Sequence, residues 1–203
     1  YDKGHGVPQD SAEAMRWFRL AAGQGDAKAQ FNLGLMYVDG QGVPRDYAEA
    51  LRWYRLAAGN GYADAQYILG LAYVDEQNVP HDYKEAVRWF QLAADQGHAE
   101  AQCGLGTMYV NGQGVPQDYA EAVRWFRLAA DQGYAGAQFN LGAAYYNGCG
   151  VPKNTVPAYN WFNRAAAQGH ERARAVRDDL ASRMTPSEIE AAQRLSSVSS
   201  PTR

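Results

Sequence analysis

The chain predicts an all-α fold, a row of helix–turn–helix units repeating every 36 residues. Three observations carry that expectation. All five tryptophans, Trp17, Trp53, Trp89, Trp125 and Trp161, stand 36 residues apart. A Val-Pro pair recurs in the same step at Val7-Pro8, Val43-Pro44, Val79-Pro80, Val115-Pro116 and Val151-Pro152. Gly25, Gly61, Gly97, Gly133 and Gly169 keep time with both. A fixed period of this length marks architectures in which a unit buries its apolar face only against its neighbours.

Each unit opens with a helix A, Ala27 to Val38 in the clearest copy. At about 100° per residue, Gln30, Leu33, Gly34 and Tyr37 share one side and are expected to be buried. Positions that differ between units fall opposite: Asn32, Ile68, Gly104 and Asn140 at one site, Leu35, Leu71, Thr107 and Ala143 at another, and Lys28, Asp64, Glu100 and Gly136 at a third. A turn, Asp39 to Arg45, leads to helix B, Asp46 to Ala58. Asp46 is the expected N-cap, with Glu49 completing a capping box, and the pair returns as Asp10/Glu13, Asp82/Glu85 and Asp118/Glu121. The five glycines named above stop helix B, since glycine takes a left-handed conformation without steric penalty. Small Ala29, Gly34, Ala50 and Ala57 let backbones approach, and Trp53 and Tyr37 fill the remaining space.

The ends and two units depart from this pattern. Tyr1 aligns with Tyr37, so the chain is expected to open inside a truncated repeat, leaving room upstream for a signal peptide or further repeats. Residues 1–184 are expected to form one solenoid, with 170–184 as its terminal cap, where Arg174, Arg177 and Asp178 replace Gln138, Leu141 and Gly142. Thr185-Pro186-Ser187-Glu188 starts a C-terminal helix over 185–195, and 196–203 is expected to be a disordered tail. In the third unit Glu76 and Asn78 replace turn glycines, so that loop is expected to be rebuilt or strained. In the fifth, Asn154 replaces the capping Asp and Pro157 the Glu, which makes this unit the expected least regular one.

The recurring residues, A-x-A-Q-x-x-L-G-x-x-Y-x-x-G, x-G-V-P-x-D and A-x-x-W-x-x-x-A-A-x-x-G, resemble the Sel-one-like repeat (SLR) family, relatives of the tetratricopeptide solenoids. The resemblance covers roughly Tyr1 to Gly169. It implies a right-handed α/α superhelix, bacterial in origin, whose A helices line a concave groove used to hold proteins or peptides. It also brings an alternative, a small-ligand binder or a hydrolase of cell-wall or antibiotic type.

Composition narrows the field. With 19 Lys+Arg against 22 Asp+Glu, the chain lacks the cationic excess that phosphate-backbone binding requires, so nucleic acid is excluded as a main partner. No apolar run is long enough to span a membrane. The soluble chain fits a bacterial cytoplasm or an exported location alike. Cys103 replaces the aromatic of Phe31, Tyr67 and Phe139, while Cys149 replaces Gln41 and Gln113. The two sit about ten residues apart within the repeat, roughly 15 Å along a helix. A disulfide spans only about 7 Å between Cα atoms, so free thiols are expected. His5, His81, His98 and His170 fall in turns with no metal-binding spacing and read as solvated turn residues. Gly40-Gln41-Gly42, Gly112-Gln113-Gly114 and Gly148-Cys149-Gly150 follow helices rather than strands, which makes them turns and not phosphate cradles. Arg16, Arg52, Arg88 and Arg124 are placed to pair with the glutamates three residues before them, on a solvated outer face that also carries Arg19, Arg55 and Arg127. No catalytic set, metal or cofactor is expected.

The candidate binding residues therefore lie on the variable face of helix A. Phe31, Tyr67 and Phe139 flank it, and Asp39, Asp75, Asn111 and Asn147 close its lower end. Its middle, which also carries Asn32, turns from apolar Leu35, Ile68 and Leu71 to small and polar Gly104, Thr107 and Asn140. Such a groove suits a peptide, with Asp39 and Asp75 facing a basic residue and the asparagines facing backbone groups. The reading is a non-catalytic scaffold or adaptor for a protein or peptide. Self-association through an N-terminal face made by Met15, Phe18 and Ala22 is a third reading.

Overall fold

A computed structural model describes residues 10–75 and 82–198, and among them eleven helices and no strand occur. The chain divides into two compact units, Tyr1–His98 and Ala99–Arg203. The first contains α1 (Ser11–Gly23), α2 (Ala27–Asp39), α3 (Tyr47–Gly59), α4 (Ala63–Val74) and α5 (Tyr83–Asp95). The second contains α6 (Ala99–Asn111), α7 (Tyr119–Asp131), α8 (Ala135–Asn147), α9 (Thr155–Ala167), α10 (Glu171–Ala181) and α11 (Pro186–Val198). Even-numbered α2 to α8 are the A helices and odd-numbered α1 to α9 the B helices. The expected loop at Glu76 and Asn78 lies outside the described residues, as do His5, His81 and 199–203. α11 continues three residues past Leu195 to Val198.

Helix B starts as the spacing predicts, with one difference. The Asp46 carboxylate accepts from the Glu49 amide, and Asp10, Asp82 and Asp118 cap α1, α5 and α7 alike. The glutamates do not reach back to close the box. Four cap amides instead donate to the last turn of helix A: Asp46 to the Tyr37 carbonyl at 3.0 Å, Asp82 to Tyr73 at 3.0 Å, Asp118 to Tyr109 at 3.0 Å and Asn154 to Tyr145 at 2.9 Å. That bond satisfies an orphan amide and an orphan carbonyl together. The freed Glu13, Glu49, Glu85 and Glu121 pair outward with Arg16, Arg52, Arg88 and Arg124. The glycines after helix B all have φ between 86° and 94°.

From the second repeat on, the interior is filled by the residue after the tryptophan, which corrects the expectation for Trp53. Tyr54, Phe90, Phe126 and Phe162 are all buried, and so is Trp125, whereas Trp53, Trp89 and Trp161 are only half-buried and Trp17 is 53% exposed; Tyr37, expected inside, is half-buried as well. The tryptophans lie over the flank of the preceding core, and arginines cover the outer face of several: Arg88 stands 4.1 Å from the Trp89 ring centroid and Arg164 4.4 Å from that of Trp161. The small residue on helix A has a definite purpose here. A Cβ added at Gly142 would lie 2.8 Å from Cδ1 of Phe162, so the glycine is the recess into which the ring fits; Gly34, Gly70 and Gly106 serve Tyr54, Phe90 and Phe126 in the same way.

Gln30 is buried with its amide satisfied on both sides. Its Nε2 donates to the Ala22 carbonyl at the end of α1, and its Oε1 accepts from Asn60 at 2.9 Å. Gln66 and Gln138 repeat the arrangement on Ala58 and Ala130, with Gln96 and Gln168 as donors. Within each compact unit, a side chain at one repeat position thus closes an open helix end and ties successive repeats together.

The fifth unit is regular: α9 runs 13 residues, Asn154 caps it through the Val156 amide, and Pro157 falls in the first turn, where no helical bond is lost. Its unusual residues have another use. α11 packs on α9, and buried Asn160, standing where Arg124 stands one repeat earlier, donates to the Ala192 carbonyl at 2.7 Å. An arginine there would have to be buried or displace α11. Thr185 and Glu188 form a complete reciprocal box at the start of α11, the Thr185 amide donating to the Glu188 carboxylate, whose pKa is lowered by that bond. On α10, Arg174 and Asp178 are exposed, and Arg177 pairs with Asp178 at 2.6 Å.

Candidate partner-binding site

The residues expected to flank the groove are committed to internal packing. Phe31 packs against Tyr54 and Tyr62 with centroids 5.5 and 5.1 Å away, Tyr67 against Phe90 and His98, and Phe139 against Phe162 and His170. They brace helix A against helix B. The same contacts correct the reading of two histidines as solvated turn residues. His170 stacks on Phe139 at 4.7 Å and caps α10, its Nδ1 accepting from the Ala173 amide, while His98 lies on Tyr67 with its Nε2 3.3 Å from Asp64.

The remaining positions do face outward in each unit. Leu35 and Leu71 are 38% and 41% exposed, Thr107 is exposed, and Asn32, Ile68 and Asn140 are half-buried. Asp39, Asp75, Asn111 and Asn147 are exposed at the ends of their A helices. Thr107 gives its hydroxyl hydrogen to the Cys103 carbonyl of its own helix, and Asn140 donates to Cys103 Sγ at 3.5 Å. Burial, the largest cause, pushes the Cys103 thiol up to about 11, with the Asn140 bond acting against it and Glu100 adding to it, so the sulfur stays protonated near neutral pH. Both cysteines are free. Among the described residues no group of three His, Cys, Asp or Glu side chains could hold a metal ion.

Each unit has a pocket on this face. In the first, a cavity of about 520 Å³ is lined by Leu35 and Val38 of α2, by Tyr47, Leu51 and Tyr54 of α3, and by Ile68, Leu71 and Asp75 from α4 and its end. In the second, a cavity of about 210 Å³ is lined by Thr107, Val110, Tyr119, Val123, Phe126, Asn140, Ala143 and Asn147, together with Cys149. Apart from Cys149 these are the same repeat positions two repeats on. The frame is one; the lining differs. Helix B supplies a wall, Tyr47, Leu51 and Tyr54, that the pattern of helix A alone does not reveal. The available signal was the tyrosine placed directly after Asp46, Asp82 and Asp118, of which Tyr47 and Tyr119 are exposed. The Tyr54 hydroxyl is pushed up to about 12, first by burial and then by the charge of Asp39.

The N-terminal face does not have the composition expected of it. Met15 and Ala22 are buried and Phe18 is half-buried, all three packed with α2, so they offer no open apolar surface.

The Sel1 repeat family model matches residues 1–26, 27–62, 63–98, 99–134 and 135–170. Among solved structures, a Sel1 repeat protein from Oxalobacter formigenes is similar at 38% identity and a TM-score of 0.78, over 82% of this chain and 69% of that one. The protective antigen c5321 of uropathogenic Escherichia coli, which displays an SLR fold, is similar at 28% identity and a TM-score of 0.57. That match covers 98% of this chain but 58% of c5321, so the chain spans less than two thirds of that relative. The immunity protein Pa5087 of Pseudomonas aeruginosa, 24% identical with a TM-score of 0.52 over 81% of this chain and 61% of that one, shares the fold. No curated protein matches. Among the described residues no helix is long and apolar enough to cross a membrane.

Proposed function

Because the chain belongs to the Sel1 repeat family, whose members are generally protein-interaction scaffolds, we propose that it works as an adaptor holding a peptide segment of a partner protein against the A-helix faces of its units. The observation that carries this reading is the pair of equivalent pockets, bounded by α2, α3 and α4 in one unit and by α6, α7 and α8 in the other. Concave, mostly apolar sites with a few polar groups are where side chains of a ligand lodge. The repeat frame holds the walls in place through the buried glutamines and aromatics, so the lining residues vary without loss of fold. The solenoid fold is typically non-catalytic, and the pocket chemistry suits holding a ligand rather than transforming it.

The triple variant Asn32→Arg, Leu71→Arg and Asn140→Arg fills both faces with long cations. It is expected to abolish peptide capture from an array while leaving the far-ultraviolet circular dichroism unchanged. Undiminished capture by a normally helical variant would contradict the assignment.

A further inference from the structure

On the reading that the A-helix faces hold a peptide, on which this step rests, the cavity of the second unit restricts the side chain that enters it. Its apolar walls come from Val110 of α6, from Val123 and Phe126 of α7 and from Ala143 and Ala144 of α8, and no charged side chain lines it. Charged neighbours along the chain are engaged elsewhere. Asp118 caps α7 through the Ala120 and Glu121 amides, Glu121 pairs with Arg124 at 2.6 Å, Arg127 donates to the Tyr145 hydroxyl at 2.8 Å, and Lys153 stands 5.8 Å from the Tyr146 ring centroid. An ionised guest would lose its water here without gaining a counter-charge. The volume, about 210 Å³, exceeds the roughly 150 Å³ that admits benzene. Two walls are themselves rings. Phe126 is buried in the recess at Gly106, and Tyr119 stands exposed at the rim. Gln117 Nε2 donates both to the Tyr119 hydroxyl at 3.0 Å and to the Val110 carbonyl at 2.7 Å, which ties the rim ring to the end of α6 before any guest arrives. The carboxamides of the lining are neutral and partly unused. Asn140 donates through Nδ2 to Cys103 Sγ and keeps its Oδ1 for a guest, and exposed Asn147 has its carboxamide free of hydrogen bonds among the described residues.

We infer that the second-unit cavity takes a phenylalanine side chain from an extended segment of the partner protein, with Asn140 and Asn147 holding the main chain beside it. The ring packs against Phe126 and Tyr119, where aromatic pairs add to plain burial. It also fills space that a leucine leaves without contacting atoms. The two carboxamides offer an acceptor from Asn140 and both an acceptor and donors from Asn147, the complement of peptide N–H and C=O groups.

Cys149 reports on occupancy, since it lines the cavity as a free, half-buried thiol. Cys103 is buried, and burial pushes its thiol up to about 11, so iodoacetamide near neutral pH reads Cys149 selectively. The test screens the full chain against a positional-scanning array of nine-residue peptides. The best phenylalanine peptide is then compared with its leucine, glutamate and lysine versions by fluorescence anisotropy. It is expected to bind about tenfold more tightly than the leucine version, with no measurable binding of the two charged ones. At saturation it is expected to slow the alkylation of Cys149, followed by mass spectrometry. Thr107 is exposed and its hydroxyl donates within its own helix, so Thr107→Phe is expected to fold, and its ring covers the cavity from α6. That variant is expected to lose both the preference and the protection. Equal binding of the phenylalanine and leucine versions, or alkylation of Cys149 that bound peptide leaves unchanged, would overturn the inference while leaving peptide capture intact. A phenylalanine preference that survives in Thr107→Phe would do the same. Protection by N-acetylphenylalanine amide equal to that by the peptide at the same concentration would assign the cavity to a small aromatic ligand and overturn the protein partner. Failure to select any peptide would remove the groove reading itself.

Discussion

Replacing Phe162 by alanine is expected to destabilise the second unit by about 4 kcal/mol, the cost of emptying a buried aromatic site whose surroundings relax only in part. Phe162 is 1% exposed, packs with Ala158, Ala165, Ala173 and Leu180, and seats its ring in the recess left by Gly142. Because Phe139 leans on the same ring and His170 leans on Phe139, the loss spreads into α8 and the start of α10. Urea unfolding followed by circular dichroism measures it. A loss below about 1 kcal/mol would mean that Trp161, and not Phe162, is the filler of this core, as the sequence period alone suggests.

Gly150→Ala is expected to cost about 3 kcal/mol, again by urea unfolding. The residue has φ 72°, and an added Cβ would run into the carbonyl of Tyr119 at the start of α7, an obstacle made of backbone that cannot turn aside. Gly133→Ala separates the two components. It has φ 94° but open space around the added Cβ, so only the conformational cost of about 1 kcal/mol applies. Equal losses at the two positions would show that the loop between α8 and α9 does not rest on α7.

Much of this architecture was legible in the sequence because its signals are local. The Asp caps, the glycine stops, the Glu-to-Arg pairs and the inward set Gln30, Leu33 and Gly34 all follow from spacing along one helix, and the coordinates place them accordingly. What stayed hidden depends on a second or third helix. The reason for Gly34 is a ring 20 residues away, and the burial of Asn160 is caused by α11, whose docking has no periodic signature. The capping box was half right for the same reason. Its second acceptor is supplied by Tyr37 on the preceding helix, which no pattern within helix B reveals.

The candidate site divides along the same line. The outward direction of Leu35, Leu71, Asp39 and Asp75 followed from a 100° step, whereas Phe31, Tyr67 and Phe139 are drawn inward by aromatic neighbours from helix B and from the turn after it. The contribution of Tyr47 and Leu51 became visible only when α2, α3 and α4 were in place around one cavity.

The most direct measurement of the central claim is methyl nuclear magnetic resonance on chain labelled at leucine and isoleucine, titrated with a captured peptide. The outer leucines Leu20, Leu56, Leu92 and Leu128 are as exposed as those of the pocket and serve as controls within the same sample. The account predicts that the signals of Leu35, Ile68 and Leu71 move while those four stay in place. Shifts confined to Leu20, Leu56, Leu92 and Leu128 would contradict it, because the peptide would then lie on the B helices and the pockets would be empty of ligand.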